Sequence, residues 1–322
     1  MEDSLTDKIR SSCKAVAEKA IHVQINYDYI QPYASLLPAN QAGFPELDAN
    51  IHYVGYGKDT AAYFLILDTI NFGSGYFPDL TKREGMSGYF TVASSLTDHF
   101  KRFGPLNAHQ LLQITVSDCT KIFGQQPENQ IIQELMQLFA TALNHLGRCL
   151  IERFQGSFTE LLRAADHSAE QLIKLLIEMP YFNDVEFYNN LRVHFYKRAQ
   201  LTAADLSLAF KRESYGFFYD LDRLTLFADN LVPHVLRIDG ILLYDDDLTG
   251  KIDSGQLIPS MSAEEIEIRA CAVHAVELIK KELQKSGHDI SALGLDYLLW
   301  NRGQQPYYKK VKPRHRTRTV FY

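Results

Sequence analysis

The chain has 322 residues, of which 46% are hydrophobic and 22% charged, so it carries enough apolar side chains for a large core. Its net charge of −6 argues against a main role in gripping DNA or RNA, because proteins that do so present basic surfaces. Four scattered cysteines argue against a disulfide framework or zinc site, and no signal peptide or membrane span is recognisable. We therefore expect a soluble cytoplasmic protein.

Helical periodicity dominates the chain. Predicted helices, in chain order, cover 3–20, 60–71, 87–102, 107–115, 129–145 with 146–156 as continuation or break, 157–178, 184–200, 201–210, 219–236, 262–286 and 291–302. Proline and glycine predict loops over 29–35 and 42–50 and a turn over 71–80. Short strand signals occur at 51–54 and 241–244 and in the C-terminal tail. Because no linker or repeat divides it, we expect one mostly α domain spanning residues 1–322, with a few short strands.

Several helix starts have recognisable caps. Ser262 followed by Glu265 predicts a capping box, and Ser168 is a second predicted N-cap. Thr202 is predicted to cap the helix over 201–210, with Asp205 in its first turn.

Common signatures of cofactor and metal chemistry are absent from the sequence. There is no dinucleotide-binding GxGxxG, Walker loop, GxSxG or HExxH. GYGKDT (55–60) is best interpreted as an ordinary loop, and the three aspartates at 245–247 as a solvated turn. We predict neither a metal site nor a cofactor.

Asp229 is unusual because it lies among apolar residues over 223–242 that fit one buried helical face. A carboxylate in such a place costs free energy unless something compensates it. Either it caps a helix that begins at about this point, or it faces a pocket as a partly desolvated acid. Periodicity alone favours the cap.

A second carboxylate lies in GLDYLLWNRG (294–303). On a helix, Asp296, Trp300 and Asn301 share one side, and Trp300 is the only tryptophan in the chain. An acceptor, a donor and a flat aromatic surface suit a heteroaromatic ring such as a guanine-like base. The alternative, an amphipathic helix with a core tryptophan, is favoured when this segment is considered by itself.

The C-terminal tail is basic, but its end alternates apolar and polar residues in RTRTVFY. This alternation predicts an ordered, strand-like finish packed against the body rather than a solvated arm.

Five segments carry a more specific signal. They are LILDTINFGSGYFP (65–78), LFADNLVPHVLRIDGIL (226–242), EIEIRACAVHAVE (265–277), LDYLLWNRG (295–303) and PRHRTRTVFY (313–322). In this order, and over most of the chain, they resemble the queuosine salvage family, the queuosine 5′-phosphate N-glycosylases. The resemblance implies a mostly helical fold related in shape to helical DNA glycosylases. It also implies cofactor-free cleavage of the N-glycosidic bond of queuosine 5′-monophosphate, which releases queuine, a 7-deazaguanine base, for tRNA modification.

Carried over by position, the resemblance implies that Asp229 is the catalytic residue. It also implies base or substrate contacts for His52, Phe227, Asp296, Tyr297 and Asn301, the last at a position where many relatives carry Asp. The substrate phosphate needs a cation, and we assign Lys197 in HFYKRAQL, at a predicted helix end with local positive charge.

The chemistry agrees with this assignment. Glycosidic cleavage builds positive charge on the ribose, and an ionised carboxylate below the ring stabilises it or attacks the anomeric carbon. Two alternatives stay open, namely a non-catalytic binding protein for a deazapurine nucleotide and a helical glycosylase acting on DNA. The expected partners are the small-molecule substrate and its product queuine, for a monomer that binds no nucleic acid stably.

Overall fold

The computed structural model describes residues 4–39 and 45–322 and shows a mostly α-helical protein. The α-helices are α1 (Leu5–Ala17), α2 (Tyr27–Leu36), α3 (Lys58–Thr69), α4 (Gly88–Phe103), α5 (Ala108–Gln113), α6 (Val116–Ile122), α7 (Gln130–Phe154), α8 (Phe158–Ala164), α9 (Ala169–Leu176), α10 (Lys197–Ala209), α11 (Leu231–Ile238), α12 (Asp246–Asp253), α13 (Ala263–Lys285), α14 (Ala292–Gly303) and α15 (Pro306–Lys310). The predicted fold class is confirmed.

Four short strands form two antiparallel pairs within the described part of the chain. Strand β1 (Val23–Ile25) pairs with β4 (Leu242–Tyr244), and β2 (Val185–Tyr188) pairs with β3 (Leu191–His194). The strand signal at 241–244 is therefore confirmed. Residues 51–54 form no strand, since 51 and 52 lie in a turn and a bend and 53 and 54 are irregular. No helix in the described ranges has the length and apolar character needed to cross a bilayer.

Two helices are buried along most of their surface and organise the core. In α3, every residue from Thr60 to Thr69 is buried, and the helix packs against α4, α7, α8 and α10. In α13, residues 264–273 are all buried, and this helix packs against α1, α2, α11, α14 and β1. The two packing groups bring α10, α11 and α14 together around the site described below.

Local capping explains why many helices begin where they do. A side-chain oxygen of the preceding residue accepts a first-turn backbone N–H, which satisfies a donor that the helix itself leaves unpaired. The predicted caps Ser168 and Ser262 both do this. The predicted capping box at Ser262 is only half formed, because the side chain of Glu265 contacts Arg269 and does not bind the N–H of residue 262. In the 245–247 run, Asp245 accepts from the N–H of Leu248 and starts α12, so these aspartates open a helix rather than a turn.

The predicted helix over 184–200 is wrong. Its first part is the β2–β3 hairpin, closed by Asn189 and Asn190 with φ of 46° and 64°. Two residues in the left-handed region form the tight turn whose twist matches paired strands, and asparagine tolerates that region well. The turn, rather than the periodicity of the flanking residues, decides the structure here.

The predicted separate helix over 201–210 is also wrong, because α10 begins earlier at Lys197 and runs without a break. Thr202 is therefore not a cap; its hydroxyl donates to the carbonyl of Arg198 one turn before. Asp205 lies in the helix interior and is buried rather than in an exposed first turn.

Three other boundaries differ from the prediction. Residues 29–35 belong to α2. Pro32 cannot donate an intrahelical hydrogen bond, and the burial of Ile30 and Tyr33 against the core offsets that loss. The helix over 157–178 is broken into α8 and α9 where the backbone turns left-handed at residues 166 and 167. The region 219–236 contains a one-turn 3-10 helix at Leu221–Arg223 and an α-helix only from Leu231, and most residues of 224–230 are irregular. Residues 129–156 form the single helix α7. Residue 3 and residues 42–44, parts of two predicted segments, lie outside the described residues.

The tail is ordered against the body, as predicted, but residues 313–322 pair with no strand of the described chain, so the strand signal there is wrong. Buried residues alternate along it at His315, Thr317 and Thr319. The carbonyl of Tyr322 accepts the N–H of Gly73 at 2.9 Å, so the last residue is tied to the turn after α3.

Candidate active site

A cavity of about 570 Å³ lies among α10, α14, the segment before α11, the loops on either side of α3 and the C-terminal tail. Side chains from distant parts of the chain line it. All seven predicted site residues are among them, namely His52, Lys197, Phe227, Asp229, Asp296, Tyr297 and Asn301. The fold therefore brings the predicted residues together in one place.

Asp296 is the buried acid of this cavity. It lies in the second turn of α14, and its Oδ1 accepts the backbone N–H of Phe227 at 3.0 Å. Burial, with the negative charge of nearby Asp229, raises the pKa of Asp296 well above its ordinary value. The hydrogen bond fixes α14 against the segment that carries Asp229.

Asp229 is both a cap and a cavity residue. Its Oδ1 accepts the backbone N–H groups of Leu231 at 2.7 Å and Val232 at 3.3 Å, at the start of α11. The capping interpretation is thus confirmed. The side chain is only half-buried and lines the cavity, and neither bond uses Oδ2. These two bonds hold the carboxylate in a fixed orientation.

Lys197 is the first residue of α10, not the last turn of a preceding helix. It is buried, and burial lowers the pKa of its ammonium group, while the charges of Asp229 and Asp68 act in the opposite direction. This lysine therefore lies in an acidic environment, which offsets part of the cost of burying its charge.

A second pair of acidic residues was not predicted from the sequence. Asp205 lines the cavity, and its carboxyl group lies next to that of Asp68, which is on α3 and fully buried. Burial raises the pKa of Asp205 to about 7, and burial with the charge of Asp205 raises the pKa of Asp68 well above its ordinary value. The visible signal was an aspartate within the apolar run AAYFLILDT.

Asp205 makes stability depend on pH. Its pKa is raised from 3.8 to about 7, so the folded state keeps a proton that the unfolded state loses. The free energy of unfolding therefore falls as pH rises from about 4 to about 7. We expect Asp205→Asn to reduce the drop in melting temperature between pH 5 and pH 8, whereas Asp222→Asn, at an exposed carboxylate, should keep the wild-type drop. Equal drops in wild type and Asp205→Asn would contradict this account.

Aromatic side chains complete the walls. The Nε2 of His52 lies 3.0 Å from the hydroxyl of Tyr89, and burial lowers the pKa of His52 to about 4, so the ring is neutral at pH 7. Trp300 meets Phe90 edge to face, with ring centroids 6.5 Å apart. Asn301, by contrast, is exposed at the cavity edge. Tyr89 and Phe90 were not predicted from the sequence.

Comparison with known proteins agrees with this geometry. A family model described as queuosine salvage protein matches residues 51–322. The chain belongs to the queuosine salvage family. It is 35% identical over 319 residues to a queuosine 5′-phosphate N-glycosylase/hydrolase of Sphaerobacter thermophilus, covering 98% of this chain and 97% of that one. The protein of the same name from Bos taurus is 30% identical over 338 residues, covering 97% and 98% of the two chains. The one from Dictyostelium discoideum is 32% identical over 299 residues, covering 92% and 89%.

Membership of the queuosine salvage family confirms the resemblance inferred from the five segments. The cavity of this family member is acidic, with Asp205, Asp229 and Asp296 on its walls. Such a site suits a ligand that offers N–H donors and that develops positive charge. Among the residues the structure describes, no group of three or more His, Cys, Asp or Glu side chains is arranged to hold a metal ion.

Proposed function

We propose that this protein hydrolyses the N-glycosidic bond of queuosine 5′-phosphate and releases queuine. The proposal rests on one observation: two carboxylates line the same cavity, and one of them is hydrogen-bonded to the chain segment that carries the other. Asp296 binds the N–H of Phe227, and Asp229 lies two residues further along the same segment. In this proposal one acid reads the base and the other faces the sugar attached to it. The relatives that carry this activity in their names support the same reaction.

Asp229 would act at the ribose. As the bond between C1′ and N9 breaks, its electron pair leaves with the base and positive charge develops on the sugar. The carboxylate of Asp229 stabilises that charge. Water then adds to C1′ and releases a proton, which balances the proton that the departing base takes up. Because α11 fixes the carboxylate through two N–H bonds, little reorganisation is needed during the reaction.

Asp296 would recognise the edge of the base. Its Oδ1 is used by Phe227, and the remaining oxygen is available to the N–H groups of a guanine-like ring. Phe227 and Tyr297 supply buried aromatic surface, and His52 and Asn301 are the further proposed contacts. The predicted role of Lys197 toward the phosphate stays a prediction.

Replacing Asp296 by Ala is expected to weaken queuine binding by about 1–3 kcal/mol, because the N–H groups of the base edge lose their acceptor. Calorimetric titration of queuine into both proteins measures this loss. The N–H of Phe227 also loses its partner, so Asp296→Asn, whose carbonyl can still accept that bond, is the control for fold. Unchanged queuine affinity in both variants would remove Asp296 from recognition.

We further propose that residues 1–322 act as one domain, in the cytoplasm and as a monomer, without stable nucleic-acid binding. The net charge of −6 supports the last point, since binding to a phosphate backbone needs basic surface. The predicted likeness in shape to helical DNA glycosylases stays a prediction.

The proposal is tested by incubating the protein with queuosine 5′-phosphate. Free queuine is then separated by chromatography and detected by mass. Release of queuine in proportion to time and enzyme is the expected result. Tight binding without release would instead identify a deazapurine nucleotide-binding protein. Salt-sensitive binding to duplex DNA, with excision of a base, would identify the DNA-directed alternative.

A further inference from the structure

The three arginines of the C-terminal tail have different surroundings. Arg316 donates to the carbonyl of Gly255 at 2.9 Å, and Arg318 lies 3.8 Å from the carboxylate of Asp79. Arg314 has no hydrogen-bond or ion-pair partner among residues 4–39 and 45–322, and it lines the cavity. Two of these arginines thus attach the tail to the body, and the third is available to a ligand in the cavity.

Arg314 is placed close to the reacting end of the cavity. Its side chain is half-buried, and burial lowers the pKa of its guanidinium while the charge of Asp229 acts in the opposite direction. An unpaired guanidinium removed from water costs free energy, so its retention here is best explained by an anionic ligand. Arginine also matches phosphate geometry, since its N–H groups form a planar fork that binds two oxygens.

Further groups that could contact an anion line the same cavity. Lys309 adds a second cation, and its side chain is exposed. The side-chain amide of Asn230 donates to the hydroxyl of Ser74 at 3.0 Å, and both residues line the cavity. The hydroxyl of Ser74 keeps its own proton for donation.

The charge of Lys197 is differently placed. This lysine is buried, and Asp229 and Asp68 hold the pKa of its ammonium group up against the lowering by burial, although no carboxylate lies within ion-pair distance of it in the described ranges. Arg314 has the charge of Asp229 nearby but no carboxylate within ion-pair distance among the described residues. A phosphate can accept two parallel N–H bonds from the guanidinium of Arg314, which the ammonium of Lys197 cannot offer in that geometry.

We propose that Arg314 binds the 5′-phosphate of the substrate, with Lys309 as a supporting cation, and that the C-terminal tail thereby sets a preference for nucleotide over nucleoside. This inference rests on the proposed function. C1′ and the 5′-phosphate are attached to the same ribose. When Asp229 lies below C1′, a cation near Asp229 is therefore close enough to reach the 5′-phosphate. The cation also screens Asp229 from the phosphate charge.

The test compares kcat/KM for queuosine 5′-phosphate with that for queuosine, in wild type, Arg314→Gln and the matched control Arg316→Gln. We expect the wild type to prefer the nucleotide, and Arg314→Gln to reduce the preference at least about tenfold, because a charge-assisted bond to phosphate is lost. Arg316→Gln should keep the wild-type preference. Arg314→Lys should recover part of it, since the charge remains but the fork does not.

Three outcomes would overturn the inference. They are a wild type with no preference for the nucleotide, an Arg314→Gln variant that keeps the wild-type preference, and a loss of preference in Lys197→Met but not in Arg314→Gln. If Arg314→Gln melts early, Arg314→Lys carries the test. If the wild type releases queuine from neither substrate, the proposed function fails. Calorimetry then decides the phosphate contact separately, since queuosine 5′-phosphate should bind wild type at least about tenfold more tightly than Arg314→Gln.

Discussion

Replacing Asp229 by Asn is expected to lower queuine release by about a hundred-fold or more while the fold survives. The substitution is nearly isosteric and removes only the charge that would stabilise the ribose in the transition state. The amide oxygen of Asn can still accept the N–H groups of Leu231 and Val232, so the start of α11 keeps its cap. Steady-state queuine release and thermal unfolding of the same preparation measure the two effects.

Two further variants separate charge from capping. Asp229→Ala removes both, so it should lose activity to a similar extent and in addition lose about 1 kcal/mol of stability. Asp222→Asn removes a carboxylate from the surface outside the cavity and should behave as wild type. An Asp229→Asn enzyme within a few-fold of wild type would mean that Asp229 is a cap and nothing more.

Deleting residues 313–322 is expected to destabilise the fold and to lower activity at the same time. The tail buries alternate side chains, and Tyr322 places its ring against the guanidinium of Arg269 in the core, 4.8 Å from ring centroid to guanidinium carbon. The carbonyl of Thr317 lies so close to Gly75 that a Cβ there would be 2.2 Å away, which shows how tightly the tail packs. Thermal unfolding and queuine release of the truncated protein measure both effects.

The single substitution Arg314→Gln distinguishes support of the fold from contact with substrate. It leaves the buried alternate residues in place, so its melting temperature should stay near that of wild type while that of the truncated protein falls. Unchanged melting together with full activity after truncation would show that the tail is a dispensable end.

The site could be predicted to the extent that its residues lie in local segments with recognisable patterns. Asp229 and Asp296 were found because each lies in a short stretch that resembles the family, and both line the cavity. Asp205 was missed because its sequence context resembles an ordinary first turn of a helix. Its partner Asp68 is distant in sequence, and only the packing of α3 against α10 places their carboxyl groups together.

The sequence by itself determined the mostly helical fold, the capped helix starts at Ser168 and Ser262 and the alternation of the tail. These features depend on neighbours within a few residues, whose spacing and hydrogen-bonding capacity are written in the chain. Only the tertiary structure decided that Asp68 lies beside Asp205, and that Arg314 faces the cavity while Arg316 contacts Gly255. Burial, coupled carboxyl groups and unpaired charges arise between segments far apart in sequence, so no local pattern records them.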